Sequence, residues 1–122
     1  LVSSDLLDMF IASAEGKIGS YKLELSNDFY CSVVLASKGY PDKYKTGREI
    51  KGLDKITKDC IVFHAGTKLD GSKVVSSGGR VLNVTGRLNK NLKEAINTAY
   101  ENAEIINFEN KYYRKDIGQK GL

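Results

Sequence analysis

Apolar and polar residues alternate along this chain with two different periods. In the segment SSDLLDMFIASAEGKI, Leu6, Phe10 and Ala14 recur at i, i+4 and i+8, with Leu7 and Ile11 beside them. That spacing predicts a short helix with one broad greasy face. Ser4 is placed to cap its start, Asp5 and Asp8 suit the positive end of its dipole, and Gly16 is placed to end it. A helix this short is marginal in water, so it needs a surface to dock on, within this chain or upstream of it. The period then changes to two. YKLEL (21–25) and DFYCSVVLAS (28–37) read as strands joined by a turn at Ser26-Asn27-Asp28, hence a hairpin. KGYPDKYKTGRE (38–49) reads as a loop. CIVFHAGTKL (60–69) reads as one strand, and Asp70-Gly71 as a hairpin turn in which both positions tolerate positive φ, with SKVVS (72–76) returning from it. In RVLNVTGRL (80–88), Val81, Asn83, Thr85 and Arg87 fall on one side, with Leu82, Val84 and Leu88 mostly on the other. The helical period returns in NLKEAINTAYENAEII (91–106), where Leu92, Ala95, Ile96, Ala99, Tyr100, Ala103 and Ile106 form a stripe behind an Asn91/Glu94 capping box.

Helix, hairpin-connected strands, long helix and tail describe an α+β domain with a mostly antiparallel sheet. Its 122 residues fit one domain, and 41% hydrophobic with 28% charged residues suffices for a core. No apolar run approaches the roughly 20 residues of a bilayer span, and no signal-peptide pattern is present. Beginning at Leu1 in a greasy segment, the chain reads as the continuation of a longer one. The net charge of +4 points to a mildly basic surface or to an anionic ligand. Its lysines form no block, and its tyrosines are expected mostly at strand and helix core positions, so nucleic acid is not expected as a partner. Cys31 and Cys60 sit among strand residues without a CxxC, and with the single His64 they do not complete a zinc site. Buried reduced thiols fit a cytoplasmic compartment.

No catalytic motif stands alone: there is no HExxH, GxSxG, GK[ST] phosphate loop or GxGxxG after a strand. Three loops carry candidate binding chemistry. SKGYP (37–41) is a turn or a backbone nest for an anion beside Lys38. FHAGT (63–67) holds the only histidine, a structural residue or a hydrogen-bond donor to a ligand. SSGGR (76–80) is a hairpin turn with a surface arginine, or a place where glycines admit an anion to the planar fork of Arg80.

VVLASKGYP, VFHAGT, GGRVLNVTG and YYRKDIG, in this order and at these spacings, resemble the C-terminal part of the phosphoribosylamine–glycine ligase family of ATP-grasp enzymes, and the resemblance spans essentially the whole chain. It implies that residues 1–25 close the ATP-grasp domain and that 26–122 form the small β-rich C-terminal domain, related to a hybrid-type barrel. It implies a parent that joins glycine to 5-phosphoribosylamine through glycyl phosphate, with ATP and magnesium or manganese bound upstream, in purine synthesis. It implies partners in the upstream ATP-grasp and N-terminal domains, no membrane, and no turnover by this chain alone. Arg80 with Gly78 and Gly79 fits the glycine-flanked arginine that meets an anionic substrate group, with His64, Gly66 and Thr67 on the same wall and Gly39 and Tyr40 at a neighbouring edge. No catalytic or metal-binding residue is expected here. Asn83 and Gly86 depart from the family's usual glycine and small aliphatic, and Arg114 with Asp116 is placed to form an ion pair in the tail. A non-catalytic module binding a phosphorylated ligand or a protein is the alternative.

Overall fold

The strand Arg80–Leu88 (β5) is the axis of the molecule. It lies in a four-stranded antiparallel sheet of order β2-β5-β1-β6, where β1 is Phe29–Ser37, β2 is Cys60–His64 and β6 is Lys111–Tyr112. The computed structural model describes residues 1–122. A second, two-stranded sheet pairs β3 (Thr67–Asp70) with β4 (Lys73–Ser76). The long helix α2 (Leu92–Ile105) lies across one face of the larger sheet. Cys31, Val33 and Leu35 of β1 and Leu82 and Val84 of β5 meet Ala95, Ile96, Ala99 and Ala103 of α2 in a core that Ile106 and Phe108 close. Alanines at the contact bring the helix close. At Gly86 the backbone carbonyl of Ala95 and amide of Ala99 occupy the space a Cβ would need.

The predicted α+β class and its antiparallel pairing are present. Asn91 caps α2, its side chain accepting from the Glu94 amide at 2.9 Å, while the reciprocal bond of a capping box is not made. The predicted stripe is buried or half-buried, and one polar residue joins it: Asn102 is fully buried. Its Oδ1 accepts from Thr57 N at 2.9 Å, and its Nδ2 donates to Thr57 Oγ1 at 2.9 Å and Thr98 O at 2.8 Å. This side chain ties the long connection 38–59 to the helix. Paired backbone bonds between Lys51 and Asn107 hold the same connection at the helix C-terminus. There Lys111 Nζ donates to the carbonyls of Ala103 and Ile106, at 2.9 and 2.6 Å, where a cation also complements the helix dipole.

Several expectations fail for identifiable reasons. The segment YKLEL is not a strand, and no hairpin forms at Ser26-Asn27-Asp28: Leu25 makes a single bridge to Val2, and no neighbouring strand completes a ladder. The first helix, α1 (Leu6–Ala14), is capped by Asp5 rather than Ser4; Asp5 Oδ1 accepts from Leu7 N at 2.7 Å, while Ser4 Oγ accepts from Glu24 N. Gly16, at φ 71°, follows its end as expected. The predicted strand 60–69 breaks at Ala65–Gly66, and the two halves enter different sheets. At the β3–β4 hairpin the central residues are Gly71 and Ser72; only Gly71 has positive φ, and Asp70 is the last paired residue. In β5 a register irregularity opposite Leu35/Ala36 turns Val81 into the core beside Leu82. Most of the tyrosines are not core residues either: none is fully buried, Tyr40, Tyr44 and Tyr112 are exposed, and only Tyr100 and Tyr113 pack against the core.

Cys31 and Cys60 are buried and reduced, each opposite Gly86 from its own side of β5. Two strand spacings of about 4.8 Å separate them, beyond the roughly 7 Å that a disulfide tolerates. Burial raises both thiol pKa values. Both cysteines are therefore expected to resist a disulfide-exchange reagent such as DTNB in the native chain at pH 8, and to react at once in denaturant. A native-state rate within tenfold of the unfolded rate contradicts this placement.

Candidate functional site

The face of the large sheet opposite α2 has no cover within this chain. Tyr30 and Arg87, then Ser32, Thr85 and Ile61, then Val34, Asn83 and Phe63, stand in successive cross-strand rows on it. Val34, Ile61 and Phe63 stay 40–53% exposed. Two arginines of β5 differ in their surroundings on this face. Arg87 donates to Asp28 Oδ2 at 2.6 Å and lies over the Tyr30 ring. That hydrogen bond holds the Asp28 carboxyl below its ordinary range. Arg80 is exposed and takes part in none of the six ion pairs and in no side-chain hydrogen bond.

The connection 77–79 that leads into Arg80 is not a hairpin turn, because β4 and β5 lie in different sheets. It is a crossing between sheets, pinned on both sides. Ser37 N donates to Gly79 O at 2.8 Å, Ser37 Oγ to Gly78 O at 3.2 Å, and Ser77 N to Gly66 O at 2.7 Å. Ala65 N and Gly66 N both donate to Val81 O at 3.1 Å. The glycines have internal reasons. Gly66 and Gly78 meet backbone to backbone, and a Cβ on Gly79 would strike the Tyr40 ring. The pair thus places Arg80 on a backbone fixed by its neighbours, and Tyr40 fills the space beside it.

Arg80, Gly79, Gly66 and Tyr40 line one cleft of about 490 Å3 with Val34, Ala65, Leu82 and Asn83. Asn83 Oδ1 is buried there without a partner. The other expected residues stand apart. His64 Nδ1 is 2.9 Å from Thr67 Oγ1, and this pair spans the break between β2 and β3 outside the cleft. Gly39, at φ 104°, is a turn residue packed against the Lys43 carbonyl. Sequence reasoning missed Asn83, three residues beyond Arg80 on β5, and Val34, which reaches the cleft only through the β1–β5 register. A single sequence carries the alternation of each strand and no statement of which residues lie across from each other.

The match with a family model decides what this domain is. Residues 30–120 match phosphoribosylglycinamide synthetase, C domain. The chain belongs to this family. It is 46% identical, over its whole length, to a bifunctional purine biosynthetic protein of Dictyostelium discoideum, of which it covers 15%. Over 96% of its length it is 45% identical to a phosphoribosylamine–glycine ligase of Caldanaerobacter subterraneus, covering 28% of that protein. A crystal structure of phosphoribosylamine–glycine ligase from Thermotoga maritima superposes with a TM-score of 0.69 at 36% identity, over 88% of this chain and 27% of that one. The synthetase C domain here thus spans less than a third of those relatives. It presents no cluster of three His, Cys, Asp or Glu side chains able to hold a metal ion. None of its helices is long and apolar enough to cross a membrane.

Proposed function

We propose that this chain is the C-terminal domain of a phosphoribosylamine–glycine ligase, and that Arg80 binds the phosphate of the ribosylamine substrate. The observation that carries the reading is the contrast on β5. Arg87 is neutralised by Asp28, while Arg80 stands without a counter-charge on a cleft floored by glycine backbone. A guanidinium offers two parallel N–H groups to phosphate oxygens, and charge-assisted bonds of this kind are among the strongest hydrogen bonds proteins make. The connection 77–79, bonded on both sides, limits the reorganisation that binding requires.

Residues 1–25 are assigned to the edge of the upstream ATP-grasp domain. This fits the exposure of Leu6, Leu7, Phe10 and Ile11, the greasy face of α1, which nothing in the chain covers. The open sheet face carrying Val34, Ile61 and Phe63 is assigned to the same upstream region, so that Arg80 faces an interdomain space. ATP and magnesium or manganese are assigned to those upstream domains. This chain therefore contributes binding and orientation and is expected to show no turnover alone. The reduced, buried thiols fit a cytoplasmic ligase.

The test is steady-state formation of glycinamide ribonucleotide by the intact ligase with each substrate varied. Arg80→Ala is expected to lower kcat/KM for phosphoribosylamine on the order of a hundredfold, with Arg80→Lys recovering part of the loss. Unchanged kinetics in a folded Arg80→Ala enzyme would leave this domain as scaffold only.

A further inference from the structure

Arg80 borders two clefts. Besides the glycine-floored one, it lines a groove of about 240 Å3 with Val34, Ala36, Tyr40, Tyr112, Tyr113, Arg114 and Ile117. Val34, Tyr40 and Arg80 are common to both and form the ridge between them. The groove differs in chemistry from its neighbour. Its walls are aliphatic side chains and three tyrosines, Tyr40 and Tyr112 exposed and Tyr113 half-buried. Its rim carries two guanidiniums, Arg80 and Arg114, and no carboxylate lines it. Asp116 draws Arg114 to itself at 2.9 Å, so Arg80 is the unpaired cation of the two.

With ATP assigned to the upstream domains, neither of the two substrates that are joined needs such a groove. A ribosylamine phosphate and glycine have no flat apolar surface to set against tyrosine rings. The groove instead suits a planar heterocycle. Its faces meet the tyrosines, since every base has a π-face that stacks on an aromatic side chain, and a phosphate joined to it meets the unpaired guanidinium of Arg80. We propose that Arg80 and the tyrosine groove together bind phosphorylated ligands of the 5′-mononucleotide class, with the phosphate at Arg80 and the base against Tyr112 and Tyr40. The assignment rests on Arg80 as the phosphate contact. A mononucleotide bound in this way excludes the ribosylamine phosphate from the same arginine, so the two ligands compete.

The experiment is an NMR titration of the 122-residue chain, whose core closes within residues 31–108, with adenosine monophosphate and with ribose 5-phosphate. The wild type is compared with Tyr112→Ala, Tyr112→Phe and Arg80→Ala. Tyr112 lies on the short end strand β6 and is exposed, so its replacement leaves the core intact. Adenosine monophosphate is expected to bind about tenfold tighter than ribose 5-phosphate. Tyr112→Ala removes that margin without altering ribose 5-phosphate, Tyr112→Phe keeps it, and Arg80→Ala weakens both ligands. In the intact ligase, adenosine monophosphate is then expected to compete with phosphoribosylamine, and Tyr112→Ala to weaken that competition about tenfold at unchanged KM. Equal affinity of the two ligands, or a margin that survives Tyr112→Ala, overturns the mononucleotide site while leaving Arg80 as phosphate contact. Ribose 5-phosphate binding that ignores Arg80→Ala overturns both.

Discussion

Asn102→Ala is expected to lower the stability of this domain by about 4 kcal/mol, measured as the shift of a urea transition followed by circular dichroism. The side chain is fully buried and makes three hydrogen bonds, two of them to Thr57. Its removal ends all three bonds, and each contributes about 0.5–1.5 kcal/mol net. The cavity adds to that cost. The 38–59 connection should loosen first, since Thr57 is its tie to α2. Asn102→Asp supplies the pH signature. It keeps an acceptor for Thr57 N but loses both donors and buries a carboxylate, which raises the folded-state pKa. A raised folded pKa gives stability that is present in acid and lost as pH rises through that value. The Asp variant is therefore expected to be less destabilised at pH 4 than at pH 7. A cost below about 1 kcal/mol for Asn102→Ala would mean that the loop is held by the Lys51–Asn107 backbone pair instead.

The second large effect is expected at Gly86. Gly86→Val should cost about 3 kcal/mol, because the new side chain must displace the backbone of α2 at Ala95 and Ala99 rather than a flexible side chain. The favourable β propensity of valine, within about 1 kcal/mol, offsets little of this. Gly86→Ala should cost less, with the same sign. Gly19→Ala serves as the control: its φ is ordinary and nothing lies within 4 Å of the added Cβ. That change should stay within about 0.5 kcal/mol. A Gly86→Val domain as stable as the parent would require the helix to move out without loss of packing, which the alanine contacts at Ala95 and Ala99 argue against.

The largest departure from the sequence-based expectation concerns the pair Gly78-Gly79. As residues they read as a hairpin turn or as room for a ligand. The structure shows their room taken by the Gly66 backbone and the Tyr40 ring. The arginine they carry stands on a surface, and its neighbour Val34 comes from register rather than from proximity in sequence.

What the sequence determined by itself follows from local physics. The 3.6-residue stripe and the Asn91 cap specify α2, the alternation in 29–37 and 80–88 specifies the two central strands, and Gly71 specifies the tight hairpin. These signals are legible because each depends on a few adjacent residues. The motifs that identify the family are equally local. Tertiary structure decided the rest. YKLEL alternates as a strand does but finds no partner edge, since a strand exists only through pairing. Strand 60–69 divides because its halves serve two sheets. Asn102 looks like a polar interruption of a helical stripe until Thr57, forty-five residues away, supplies its hydrogen bonds. Pairing and burial are properties of segments brought together, and one chain read alone does not state which segments those are.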